Sequence, residues 1–234
     1  MRIKANPAPN PGRIGLFLLM KTYDVPIPHI QRRGAMTKGR LEAFSDGMFA
    51  IILTILVLEL RVPELENSSF AAFQAGLQEI APKFFAFLFS FFIIAIFWIN
   101  HHAIFHQIHK VDTKLLWLNI GILFFSSLFP FITAFVGDYI LNPYVVALYP
   151  LNMALSSVML NALWKHAFVD TNLATYRMTV QEVRQRRARD RMALGLNLLS
   201  VVLAFVWVPI TLFIMVAMPF AFVVPELLAK KDEA

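Results

Sequence analysis

The sequence contains no cysteine. That excludes a disulfide framework, a thiolate metal site and a cysteine nucleophile. Charge is scarce too, with Asp, Glu, Lys and Arg making up only 15% of the 234 residues. No Gly-rich phosphate loop and no nucleophile–base arrangement stands out, which argues against an enzyme. No helical run carries Arg at every third position, so voltage sensing by that route is not expected. The stretch FSDG, residues 44–47, occurs once and nothing echoes it, so there is no internal repeat.

What remains is apolar. Hydrophobic residues reach 58%, Phe alone supplies 23, and mean hydropathy is +0.63. Soluble domains are typically about 45–50% apolar. The chain is read as an all-α integral membrane protein. Apolar runs long enough to cross a bilayer fall at about 41–60, 84–105, 115–136 and 143–164, with a longer run over 192–229. That last run is too long for one span and carries Pro209 near its middle, so it is divided into 192–208 and 210–229, giving six spans.

Basic residues test the topology. Eight Lys and Arg precede the first span, and seven lie in the fourth loop, 165–191, mostly within VRQRRARDR. The third and fifth loops hold none, and the tail, 230–234, holds Lys230 and Lys231. Six spans place both termini and every basic loop on the cytoplasmic side. The net charge of +6 is therefore a topology signal, and no nucleic-acid partner is expected. Residues 1–36, with five prolines and only the short apolar stretch IGLFLLM, are read as a mobile cytoplasmic extension. The basic segment 167–191 is a candidate for a helix lying along the anionic inner leaflet.

The first span opens with carboxylates. At about 100° per residue, Phe44, Gly47, Met48, Ile55 and Leu58 fall within roughly 60° of Ile51, with Thr54 at the edge. Glu42 and Asp46 fall on the opposite face. Two arrangements are compatible with this pattern. Either the acids line a wet path and the apolar stripe meets lipid, or the acids are held inside the subunit and the stripe faces something else. Partners for Asp46 exist on the second span. There FWINHHAIFHQIHK gathers Trp98, His101, His102, Phe105 and His109 on one broad face, with His106 at its edge. An Asp–His contact there would neutralise Asp46 and could sense protons. His102, His106 and His109 also have ligand-like spacing, but six histidines in all, with His29 and His166 isolated, are too few for a membrane di-iron centre. No metal and no cofactor is expected. Trp117, Trp164 and Trp207 are read as packing or membrane-interface residues.

Arg40-x-x-x-Phe44-Ser45-Asp46-Gly47 resembles the RxxxFSD signature of the transmembrane protein 175 potassium channels. Trp98-x-x-x-His102 with Phe105, inside WINHHAIF, resembles that family's second-span pattern. The resemblance covers about residues 37–229. It implies a cation channel without a carbonyl-lined filter, and indeed no TVGYG-like stretch occurs. A single six-span unit resembles the prokaryotic members, which implies a homotetramer in a prokaryotic plasma membrane with the first helix lining a central pore. Carried over by position, the apolar constriction falls on Ile51, with further rings at Ile55 and Leu58. The threonine tied to potassium preference falls on Thr54. Arg40, Phe44, Ser45, Asp46 and Gly47, with Trp98, His101, His102 and Phe105, would form the signature and the network that holds the pore helix. The permeant ion implied is K+, with modest preference over Na+. A proton-coupled carrier of a small solute, using Asp46 and the second-span histidines as relay groups, is the competing reading.

Overall fold

The structure, a computed structural model, describes residues 36–229, and the side chains among them as far as Met218. The extension expected before Met36 and the tail from Lys230 onward lie outside the described residues. Helices run in the order α1 Lys38–Ile55, α2 Phe70–His106, α3 Thr113–Ser127, α4 Phe129–Asp138, α5 Pro143–Lys165, α6 Val180–Ala204 and α7 Val208–Ala229. A 3₁₀ turn, Leu56–Glu59, follows α1, and a π turn, His166–Asp170, follows α5. There is no strand among the described residues; a lone bridge pairs Ile108 with Ala174. Among the described residues, four segments are long and apolar enough to cross a membrane: Lys38–Glu59, Phe70–His106, Thr113–Asp138 and Pro143–Asp170. With α6 and α7 this is an all-helical membrane architecture that accommodates six spans.

Local chemistry sets the boundaries. Thr37, Ser69, Asp112, Asn142 and Thr179 are the N-caps, each accepting a backbone N–H from the first turn. Thr179 and Glu182 complete a capping box, which is why α6 starts in a polar stretch. The basic segment 167–191 is therefore not a separate surface helix. Its second half is the first turns of α6, which continues without a break into the residues of the expected fifth span. The expected 192–208 thus begins at Val180, and the turn at Phe205–Trp207 puts Pro209 just inside α7, where its missing N–H costs nothing.

α2 also begins earlier than the expected 84, at Phe70, because Ser69 caps it and Pro82 is absorbed in its interior. Lys83, near the expected start, reaches Asp138 at the end of α4 at 2.6 Å. From Lys83 to His106 the helix rises about 35 Å, one bilayer thickness. The apolar turns before Lys83 extend past that level. The third span is two helices, α3 and α4, meeting at Leu128. Pro130 cannot donate backward, and the carbonyl of Phe125 near the break accepts from Asn152 Nδ2 of α5 at 3.1 Å.

The core is packed between α2, α4 and α5. Phe129 and Tyr149 are fully buried, with ring centroids 5.5 Å apart, and Phe89 and Phe97 pack around them. Tyr149 donates to Ser90 Oγ at 2.9 Å, and Thr133 Oγ1 lies 2.7 Å from the same atom. These hydroxyls satisfy one another where no water can serve them.

Candidate functional site

The site is built on α1. Leu41, Ser45, Phe49, Ile52 and Leu56 are buried, so these define the face packed into the subunit. Ser45 Oγ donates to the Leu41 carbonyl at 2.9 Å and accepts from Asn119 Nδ2 of α3 at 2.9 Å. The amide oxygen of Asn119 lies 2.7 Å from His101 Nε2 of α2. Because that oxygen can only accept, the network assigns the imidazole proton to Nε2. His101 Nδ1 has no hydrogen-bond partner. The ring is held instead by apolar contacts: it stacks on Phe105 at 4.4 Å and packs against Phe49 at 5.4 Å. One polar triad, Ser45–Asn119–His101, therefore joins three helices inside the membrane. Asn119 carries no signal in a pattern reading, because one Asn inside LWLNIGIL looks like an isolated polar interruption of a span.

A second bond joins α1 and α2 at the triad's edge. Trp98 Nε1 donates to Asp46 Oδ1 at 2.9 Å, and Trp98 lies 5.7 Å from the His102 ring. Asp46 thus meets an indole N–H, a donor that brings no positive charge. Glu42 pairs with Lys38 at 3.4 Å, and Lys38 Nζ also donates to the carbonyl of His106, the last residue of α2, at 3.4 Å. A cation at that helix end matches its partial negative charge. His101 and His102, adjacent in sequence, point to different environments: His101 is buried and His102 is exposed. His109 is not on the helical face at all, because α2 ends at His106 and the His109 backbone N–H bonds the Leu173 carbonyl at 2.8 Å. The three-histidine register is thereby broken, and no group of three potential metal ligands occurs among the described residues. Arg40 is exposed, with no carboxylate within ion-pair distance among the described residues.

The other side of α1 is largely exposed among the described residues. Ile51 is 53% exposed, Ile55 40% and Leu58 72%, and Phe44 and Thr54 are exposed as well. Leu58 sits in the 3₁₀ turn, where the helix has tightened. The Thr54 hydroxyl lies 3.0 Å from the Ala50 carbonyl and 2.9 Å from that of Ile51. Its one proton is used inward, which leaves oxygen lone pairs on the outer surface. Beside this apolar stripe runs a narrower one of small residues. Ala43, Gly47, Ala50 and Thr54, spaced by four, three and four, are all exposed. A methyl group placed on Gly47 would meet nothing within 4 Å.

Away from α1, the same membrane end is closed by Asp112. It caps α3 through the Leu115 N–H at 2.7 Å and binds His166 Nε2 at 2.8 Å. Burial alone would push this carboxyl up, but the Leu115 N–H, the His166 bond and charge, and Lys114 together hold it below its ordinary value. Trp164 is buried under the Arg186 guanidinium at 5.2 Å, whereas Trp117 is exposed.

Comparison with known proteins finds both a family and solved structures similar to this chain. The profile of the family described as "Endosomal/lysosomal potassium channel TMEM175" matches residues 40–130. A Chamaesiphon minutus protein described as a potassium channel is 33% identical over 188 residues, covering 78% of this chain and 93% of its own length. A Chryseobacterium potassium channel is 48% identical over 125 residues, a match that covers 53% of this chain and 61% of that relative. The human endosomal/lysosomal proton channel TMEM175 is 32% identical over 90 residues, only 18% of its length. Among solved structures, a lysosomal potassium-selective channel TMEM175 homolog from Chamaesiphon minutus superposes with a TM-score of 0.70 at 30% identity, covering 80% of this chain and 97% of that one. A second potassium channel structure, MtTMEM175, shares the fold at 17% identity and a TM-score of 0.56. With nearly the full length of one relative and its helical arrangement both reproduced, the chain belongs to the TMEM175 family.

Proposed function

We propose that this chain is a potassium-permeable channel, not an enzyme, in which four copies place α1 around a central axis and Ile51 forms the narrow apolar neck, with Ile55 and Leu58 as further rings. One observation carries the reading: the two faces of α1 are unlike. Its polar groups, Ser45 and Asp46, are committed to Asn119 and Trp98 inside the subunit, while Ile51, Thr54, Ile55 and Leu58 are exposed among the described residues. The small-residue stripe lies opposite the buried face and beside Ile51. Such a stripe lets helix backbones approach closely in a membrane. Packing that stripe against a neighbouring α1 in closed symmetry turns Ile51 toward the axis. A tight apolar neck controls ions by excluding water from itself. Thr54, with its lone pairs outward, supplies an oxygen next to that neck and a modest preference for K+ over Na+. Arg40, Phe44, Gly47, His102 and Phe105 complete the signature around the helix, and neither a cofactor nor a metal takes part. By the distribution of basic residues, both termini are cytoplasmic; the likeness to the Chryseobacterium and Chamaesiphon channels supports the plasma membrane of a prokaryote.

The competing proton-coupled carrier needs Asp46 and the histidines as mobile relay groups. It fits less well with a carboxylate bound by an indole N–H and a His101 held in one tautomer between Asn119 and two Phe rings.

The test is ion flux from purified chain in liposomes. Ile51→Asn should hydrate the neck and raise K+ flux several-fold, and Thr54→Val should lower K+ preference while leaving flux measurable. Unchanged flux in Ile51→Asn would remove the neck from this position. Loss of proton-driven solute uptake in Asp46→Asn, with no K+ current from the unaltered chain, would establish the carrier instead.

A further inference from the structure

The junction of α5 and α6 holds a groove of about 610 Å³ that the α1 site does not use. Its walls have two chemistries. Arg184, Arg187 and Arg191, spaced by three and four, stand on one face of α6, and Lys165 faces them from the last turn of α5. Val158 and Leu194 form part of an apolar floor. All three arginines are exposed, and among the described residues no carboxylate lies within ion-pair distance of them. Lys165 also meets Asp170 at 3.5 Å, and Asp190 lines the groove as its single acid. With Lys165 paired to Asp170, the three arginines against Asp190 leave a net charge of about +2.

The position of the groove names its occupant. α6 changes character between Arg191 and Met192: five of the eight residues from Arg184 to Arg191 are arginine, and Met192, Leu198, Leu199 and Val202 toward its end are exposed and apolar. The groove crosses that boundary, since it is lined by Arg184 on one side and Leu194 on the other. Arg186, over the Trp164 ring, pins α6 to α5 so that the groove keeps its shape. A free phosphate would use the cations and leave the apolar floor bare. A soluble acidic peptide would not reach the hydrocarbon level. An anionic phospholipid satisfies both walls, because its phosphate takes guanidinium forks while its glycerol and first acyl carbons cover Val158 and Leu194.

We propose that the α5–α6 groove is a binding site for an anionic phospholipid of the basic-side leaflet, with Arg184, Arg187 and Arg191 holding the phosphate. The site requires only that the chain sits in a membrane, so it stands or falls independently of ion conduction.

The experiment titrates the purified full-length chain in neutral detergent with phosphatidylglycerol or phosphatidylcholine and counts retained lipid per subunit by native mass spectrometry. Each basic side chain near an anionic lipid contributes about fivefold in affinity, so three give on the order of a hundredfold. Phosphatidylglycerol should be retained in preference to phosphatidylcholine. R184Q/R187Q/R191Q should bring it close to the phosphatidylcholine level, and R184K/R187K/R191K should keep most of the preference. Millimolar inorganic phosphate should not displace the lipid. Equal retention of phosphatidylglycerol by the glutamine variant, or full displacement by inorganic phosphate, overturns the proposal. Should the glutamine variant lose its helical circular dichroism, the unaltered chain decides: its lipid preference must fall as salt rises from about 50 to 500 mM, and a flat profile overturns the proposal too.

Discussion

Replacing Asn119 by Leu keeps the number and branching of side-chain heavy atoms and removes both polar bonds of the triad. The consequences for its two partners differ. Ser45 keeps its donation to the Leu41 carbonyl and loses only an incoming bond. His101 is 1% exposed, its Nδ1 is already without a partner, and the loss of the Asn119 oxygen leaves the ring with no hydrogen bond at all. A buried donor stripped of its acceptor costs about 1–3 kcal/mol. Interhelical hydrogen bonds in membranes average about 0.6 kcal/mol and reach about 1.7. For N119L the unsatisfied His101 N–H decides, and the expected loss is about 2 kcal/mol. His101→Phe keeps the stacking on Phe105 and contact with Phe49, but it strands the buried Asn119 oxygen, whose remaining neighbour is the Ser45 hydroxyl at 3.3 Å, so by itself it should also cost about 1–3 kcal/mol. The double variant H101F/N119L has no stranded donor. It should be more stable than N119L alone by about 1 kcal/mol, a sign that simple loss of contacts cannot produce. The assay is unfolding in mixed micelles by titrated dodecyl sulfate, followed by far-ultraviolet circular dichroism. Additive losses in the double variant would refute the assignment of His101 Nε2 as a donor to Asn119.

Ala50 is exposed among the described residues, so Ala50→Leu should shift unfolding by no more than about 0.5 kcal/mol, while the fraction of the proposed tetramer measured by light scattering in detergent falls; an unchanged oligomer mass would remove α1 from the interface. Asp112→Asn keeps a good helix cap but removes the charge. Because the folded carboxyl lies below its ordinary value of about 4, it stabilises at pH values above that and loses its contribution as pH falls through the lowered value. The unaltered chain should therefore lose stability below about pH 4 more steeply than D112N in pH-dependent thermal melts, and parallel profiles would show that the charge contributes nothing.

Several features were legible in the residues because they follow from length, period and charge. The apolar runs marked the spans, since a backbone in hydrocarbon must satisfy itself as helix. The acids of α1 fell opposite Ile51 because the helical period alone decides which residues share a face. The hairpin near Pro209 followed from proline's missing donor. Other features were not legible. The start of α2 at Phe70 depends on the Ser69 cap and on a helix tolerating Pro82. The basic residues of VRQRRARDR became part of α6 because Thr179 and Glu182 cap it and Trp164 receives Arg186. His109 left the helical face because the Leu173 carbonyl captured its N–H.

Sequence by itself determined that α1 has one polar and one apolar side, that its companions are membrane helices, and that the family signature lies at Arg40–Gly47. Only the tertiary structure decided which of those sides is used up within the subunit. Asn119 sits 74 positions from Ser45 and 18 from His101, separations over which no periodic rule acts. Their meeting depends on how three helices pack, and packing is a property of surfaces in contact, which a linear pattern does not encode. Once that contact satisfies the polar face of α1, what remains outward is Ile51, Thr54, Ile55 and Leu58.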